Sequence, residues 1–291
     1  MQHTRSARRR LTRSQFQAQE KMSATTERGV ELLGSSARVI MHSGNIASWS
    51  KLRKRGVLTS TAELVSATEA SFTSWLGRQG DETEPDSRVV VRNAGLCAEI
   101  SDNERDSCVF TLKVFLLQWG AGHDVEDAIR TTLSELGLTS VSTLILAFPP
   151  CPSTEFTLDR VKSLWEGAES LVASGVATDL GTADLDKKQF EELYEWASVK
   201  PKVNQVNLAH CCTMPEDLVA FSKVHDVRLM THNDDKVILP QAQLQAALDT
   251  TLGGRVDHTH WTPSWVIKYT SIIRLRGIIS HKGYLVNLNT K

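Results

Sequence analysis

Chemistry in this chain has to come from few side chains, and His210, Cys211 and Cys212 stand out first because they are consecutive. Imidazole beside thiols suggests zinc or redox work. Yet adjacent cysteines cannot easily give two ligands to one tetrahedral zinc, and the spacing matches no standard finger. Buried or loop thiols are the plainer reading, since free cysteine is among the most buried residue types. An intermolecular disulfide is the alternative, assignable to none of Cys97, Cys108, Cys151, Cys211 and Cys212 in particular. His258 and His260, in HTHW, fit one face of a strand, but no carboxylate or third histidine stands at suggestive spacing. No metal site is expected. Trp261 and Trp265 lie close in sequence to Tyr269, Ile272 and Ile273; such a group is core on a first reading and an interface if exposed.

The elements that must position these side chains are clearest in the middle of the chain. Ile129, Leu133 and Leu136 recur at helical spacing before Gly137, and the apolar run Thr143–Phe148 (TLILAF) follows at strand length. Leu158, Val161, Trp165, Ala168 and Val172 mark a second helix ending near Gly175, and ATDLGTA reads as the next strand. Asp186 offers an N-cap with Gln189 three residues on, and Phe190, Leu193 and Ala197 carry that helix to a stop before Pro201. VNQVNLA (Val203–Ala209), a helix opening at Pro215 with Leu218 and Phe221 inward, and VRLMT (Val227–Thr231) continue the alternation. Earlier, ARVIMHSGN, DSRVVVRNAG and SCVFTLKVFLLQW read as strands, with a helix over about 61–77 and QGDETEPDS as an exposed loop. Such alternation implies parallel strands joined by crossover helices. No GxGxxG follows the first strand, and the length suits an eight-unit barrel of about 250 residues plus a tail, so an α/β fold of (β/α)8 TIM-barrel type is expected. The expected division is a basic tail over 1–36 and a single barrel domain over 37–291.

Composition narrows the function classes. With 41% hydrophobic and 23% charged residues among 291, this is an ordinary globular chain. Five arginines (Arg5, Arg8, Arg9, Arg10 and Arg13) precede the first acid, Glu20, and without them 28 basic residues face 34 acidic ones. An acidic body offers no field for phosphate neutralisation, so nucleic acid is not an expected partner. The arginine-rich start reads as a disordered tail or as a transit peptide. Residues 136–154 carry no charge, but Pro149, Pro150 and Pro152 break any membrane span there. An odd cysteine count with no secretory h-region points to a reducing compartment, and the expected location is cytoplasmic.

The run GVATDLGTADLDKKQFEELYEWASVKPKVNQVNLAH resembles the aldo-keto reductase pattern, in which a strand ending in a Gly-x-Ser-Asn loop precedes a helix and a strand reading Val-Asn-Gln. More specifically, GTADLDKKQFEELYEWASVKPKVNQVNLAHCCTMPEDL, THND and RGIISHKGY resemble the family of glutamate-cysteine ligase regulatory (modifier) subunits. That resemblance implies a noncatalytic aldo-keto reductase-type barrel. It would form a heterodimer with the ligase catalytic subunit and modulate the first step of glutathione biosynthesis, through glutamate affinity and glutathione feedback inhibition.

Set against the reductase machinery, the resemblance leaves Lys113 alone in its family position, as a vestigial residue. Ala147 stands where the reductases carry a histidine, and Tyr194, Tyr269 and Tyr284 all fall too late for the proton-donating tyrosine. A lysine without an adjacent phenol cannot deliver the proton that carbonyl reduction requires. Gln205 matches the glutamine that holds the cofactor carboxamide. The Ser-Asn pair becomes Ala183 and Asp184, the stacking aromatic aligns with His232, and the phosphate-binding motif aligns loosely with His281, Lys282 and Gly283. No cofactor is expected beyond weak NADP binding through Gln205 and Lys282. The shortened C-terminus implies a less covered last strand, making Trp265, Tyr269 and Ile272 candidate partner-binding residues. Two alternatives stay open: an active NADPH-dependent aldo-keto reductase, which needs a tyrosine within reach of Lys113, and a redox-sensing scaffold acting through its thiols.

Overall fold

The computed structural model describes residues 26–290 except 55, 57, 79–82, 85–87, 98–99, 150–155 and 208–212. The arginine-rich start, Cys151, His210, Cys211 and Cys212 lie outside the described residues. In chain order the elements are α1 (26–35), β1 (Arg38–His42), α2 (Ser50–Arg53), α3 (Ser60–Leu76), β2 (Thr83–Glu84), β3 (Arg88–Arg92), α4 (Asp102–Ser107) and β4 (Cys108–Leu116). They continue as α5 (Gly122–Leu136), β5 (Val141–Ala147), α6 (Leu158–Ala173), β6 (Ala177–Ala183), α7 (Lys187–Trp196), β7 (Val203–Asn207), α8 (Glu216–Val224), β8 (Arg228–His232) and α9 (Gln241–Leu252). A long hairpin, β9 (Thr262–Ile273) and β10 (Ile278–Asn289), closes the chain.

The expected helix–strand alternation is present from β4 to β8, all parallel. Asp186 caps α7 in the reciprocal arrangement with Gln189. Gly122 and Gly167 let α5 and α6 touch backbone to backbone, since a Cβ on either would overlap the other's main chain.

Two features depart from the sequence reading. The boundary after residue 36 falls within ordered structure, because residues 26–35 are helical, Leu33 is buried, and Gly29 packs on Trp75. Among the described residues ten strands run in the order β2-β3-β1-β10-β9-β4-β5-β6-β7-β8, so the hairpin is inserted between β1 and β4. Its antiparallel pairing on both sides makes β1 and β3 run against β4–β8. Where the hairpin strands lie beside β4 and β1, both of their faces are packed, with Trp265, Ile267 and Leu285 in one core and Val266, Tyr284 and Val286 in the other, so inward and outward side chains there are buried alike. That erases the alternation by which a half-exposed strand is recognised.

The ladder is open, with β2 and β8 as its edges, yet it curls. Lys113 on β4 and Asp234 just after β8 are four strand steps apart, about 19 Å across a flat sheet, and they touch at 2.8 Å. The α/β barrel expected from the alternation is therefore a curved wall around a filled interior. Leu112, Leu144, Leu180 and Ile267 face outward and pack with Ile129, Trp165 and Phe190 of the outer helices. The alternate residues Phe115, Ile145, Val203 and Val266 face inward, where Met41, Phe72 of α3 and Leu244 and Leu248 of α9 complete a second core.

Candidate functional site

The inward face of β4 carries Lys113 two residues before Phe115, and its buried ammonium donates to Asp234 Oδ2 at 2.8 Å. Lys268, across the β9–β4 ladder from Lys113, donates to Asp234 Oδ1 at 2.6 Å. His232, at the end of β8, places Nδ1 3.3 Å from Asp234 Oδ2 and Nε2 2.9 Å from Asp184 Oδ1. Asp184 follows β6 with φ +62, a left-handed conformation that aspartate tolerates better than most side chains. Its neighbours fix it there: its N–H donates to Gln205 O at 2.8 Å, and its Oδ1 accepts the Asn207 N–H at 3.0 Å. Asn207 in turn donates from Nδ2 to the Asp234 carbonyl at 2.7 Å. The C-terminal ends of β4 to β8 thus converge on one buried carboxylate held by two lysines and a histidine.

Asp184, Asn207, His232 and Asp234 of this cluster form one wall of a cavity of about 370 Å³, lined also by Phe115, Ala147, Phe148, Leu185 and Ile238. Burial alone would raise the pKa of Asp234, but His232, Lys113 and Lys268 hold it far below the usual carboxylate range. Burial disfavours a charge on His232, yet its bonds to Asp184 and Asp234 outweigh that and raise its pKa. For Lys113 the balance tips the other way: desolvation exceeds the attraction of Asp234 and lowers the pKa. The arrangement can hold a charge pattern and a small ligand. For proton transfer, none of the three tyrosines hydrogen-bonds Lys113. Tyr284 donates to Glu63 Oε1 at 2.7 Å, and burial followed by the Glu63 charge raises its pKa. Tyr269 lies on the outer face, where burial raises its pKa too, and Tyr194 is on α7.

Of the residues singled out in the sequence, Ala147, Ala183, Asp184 and His232 line this cavity, and Lys113 is joined to it through Asp234. Gln205, on β7, does not line it, and its buried Oε1 has no hydrogen-bond partner among the described residues. Lys282 is elsewhere, paired with Glu63 on α3 at 2.6 Å. The exposure expected of Trp265 and Tyr269 is corrected: they are 3% and 2% exposed, because their side of β9 faces the outer helices, while Ile272 at 38% reaches the surface. The last strand is likewise covered, Tyr284–Leu288 being buried between β1 and β9. His258 bridges Asp249 and the Val256 carbonyl, and among the described residues no group of side chains is arranged to hold a metal ion. Sequence reading missed Asp234 and Lys268. The string THND was visible, but nothing local says that its last residue meets a lysine 121 positions away.

No family model matches the chain. It is 35% identical over 266 residues to the glutamate-cysteine ligase regulatory subunit of Homo sapiens, covering 90% of this chain and 97% of that one. To the rat protein of the same name it is 34% identical, covering 89% of this chain and 96% of that one. A solved aldo-keto reductase from Brucella melitensis aligns with 61% of this chain and 66% of its own at 17% identity and a TM-score of 0.37. With a third of positions identical along nearly the whole length of the human and rat proteins, the chain belongs to the family of glutamate-cysteine ligase regulatory subunits.

Proposed function

We propose that this chain is a noncatalytic subunit that binds the glutamate-cysteine ligase catalytic subunit as a heterodimer. In that complex it eases glutamate binding and weakens glutathione feedback inhibition. The observation that carries the reading is the match to the human regulatory subunit over 97% of its length. The cavity supports it: the lysine that a reductase would couple to a phenol is tied to Asp234, and Ala147 offers no polar atom beyond its backbone. Regulation of this kind needs only differential binding to two states of the partner, typically about 1 to 3 kcal/mol. A cytoplasmic location belongs to the same reading, and any weak NADP binding draws on Gln205 and Lys282, which the fold holds on different walls.

The test is to titrate the catalytic subunit with this protein and follow ligase kinetics. The expected result is a lower apparent KM for glutamate and a higher glutathione inhibition constant; unchanged kinetics in a complex verified by light scattering overturns the reading. The reductase alternative is checked in the same preparation. NADPH oxidation with a panel of aldehydes and ketones, abolished by Lys113→Ala, would establish it.

A further inference from the structure

We infer that the tip of the β9–β10 hairpin is the docking surface for the catalytic subunit, through a face of that subunit on which carboxylates rim an apolar hollow. The identity of the partner rests on the function proposed above. The surface itself rests on three observations about residues 272–279.

First, apolar exposure is concentrated there. Among the described residues seven large apolar side chains are exposed, and four of them are Ile272 (38%), Leu275 (98%), Ile278 (56%) and Ile279 (49%). Exposed aliphatic residues scattered singly are ordinary, but a cluster is not. Ile272 and Ile279 are cross-strand neighbours on one face of the hairpin, Ile278 is on the other, and Leu275 lies in the turn between the strands.

Second, the turn itself carries two cations, beside the acidic helix α4. Arg274 and Arg276 flank Leu275, both exposed, and neither has a salt-bridge partner among the described residues. A guanidinium beside aliphatic carbon is the pairing enriched in protein interfaces, and the complement of two unpaired arginines is a pair of carboxylates. Nucleic acid is a poorer fit, because the tip presents no aromatic ring for a base to stack on and too few cations for a phosphate track.

Third, the tip is built before any partner arrives. The N–H groups of Arg276 and Gly277 both donate to the Ile273 carbonyl, at 3.1 and 2.9 Å. Gly277 supplies the φ of +62 that closes the turn. Arg274 N–H donates to Ser107 O at 3.0 Å, fastening the turn to the end of α4. A preformed loop loses little conformational freedom on binding, which favours affinity per unit of area.

The experiment measures the dissociation constant of the full-length chain and the purified catalytic subunit by titration calorimetry, at two NaCl concentrations. Leu275→Asp, and separately the charge reversal Arg274→Glu with Arg276→Glu, should each weaken binding about tenfold or more. The reversal should also flatten or invert the loss of affinity with salt. Circular dichroism and the urea midpoint should match the parent, since these side chains contribute little to either core; should Leu275→Asp misfold, the charge reversal decides. Parent-like affinity in folded variants overturns the docking surface while leaving the proposed function standing. Failure of the parent itself to bind overturns both. If the variants instead lose self-association in sedimentation, or lose binding to vesicles of phosphatidylcholine and phosphatidylserine, while still binding the catalytic subunit, the tip serves a second copy or a membrane and the proposal is wrong.

Discussion

Two polar clusters sit on opposite faces of the same curled sheet and treat a buried histidine in opposite ways. On the inner face, His232 is 7% exposed and lies within 3.3 Å of carboxylates on both ring nitrogens; its pKa is raised. On the outer face, His42 is 5% exposed in its side chain, and its pKa falls to about 4, from desolvation and then the Arg92 charge. The reason is the order in which partners are satisfied. Arg92 takes Glu135 with two hydrogen bonds of 2.8 and 3.0 Å, leaving His42 Nδ1 at 3.9 Å from that carboxylate and Nε2 with no partner. Cys97, whose Sγ is 3.7 Å from His42 Nδ1, is neutral as well, its pKa pushed by burial up to about 11. His42 is the more deeply buried of the two and lacks a close carboxylate, whereas His232 is less fully buried and has two, so desolvation and partners push the two pKa values apart together.

The strongest way to break this contrast is to remove the carboxylate of the inner cluster. Asp234→Ala leaves Lys113 buried beside Lys268 with its hydrogen-bonded carboxylate gone and only the more distant Asp184 as counter-charge, and loss of one partner from a buried pair costs about 3 to 5 kcal/mol. Urea unfolding at neutral pH should show that loss in its midpoint. A cost below about 1 kcal/mol, the range of exposed pairs, would mean that water rather than Asp234 satisfies these lysines.

Next in size is the acid sensitivity contributed by His42. Its folded pKa is below the unfolded value of 6.5, so the unfolded chain takes up the proton first. Stability is lost as pH falls from 6.5 towards about 4 and levels off below. A shift of that size corresponds to about 3 kcal/mol. His42→Phe should remove this component, so the parent-minus-variant difference in unfolding free energy should slope across pH 4 to 6.5 and be flat above it. A flat difference throughout would show that the imidazole has found a proton acceptor, such as Glu135.

How much of this was legible before the fold was known follows from the same physics. The units from β4 to β8 could be read because each helix has one apolar face and each strand is bounded by a cap or a glycine, as with Gly137 after α5 and Asp186 before α7. The β9–β10 hairpin could not, because Trp265 and Val266, adjacent in sequence, are buried on opposite faces and leave no polar phase. Lys113 was found through its resemblance to the reductases. Its partner needed the curl of the sheet, since Asp234 is brought to it only when β4 and β8 bend towards each other. Ile272 was expected to be exposed together with Trp265 and Tyr269 because a shortened C-terminus would uncover the last strand, whereas its exposure belongs to the hairpin tip beyond them.

The smallest expected effect sharpens the comparison most, because it reverses the sign. His232 has a folded pKa above its unfolded value, so protonation favours the folded chain. The contribution is complete below pH 6.5 and disappears as pH rises through the raised folded pKa. Asp184, one of its two partners, has a half-exposed side chain, so solvent screens part of that attraction and the contribution should be the smallest of the three. His232→Phe should therefore destabilise the protein more at pH 6 than at pH 9, while the difference for His42→Phe should not change across the same interval above pH 6.5. Titrating the imidazole protons by NMR gives an independent reading: His232 should titrate above 6.5 in the parent, and Asp234→Ala should bring its midpoint down. If that midpoint stays raised without Asp234, the inner histidine is held by Asp184 alone, and the lysine-bound carboxylate plays no part in its charge.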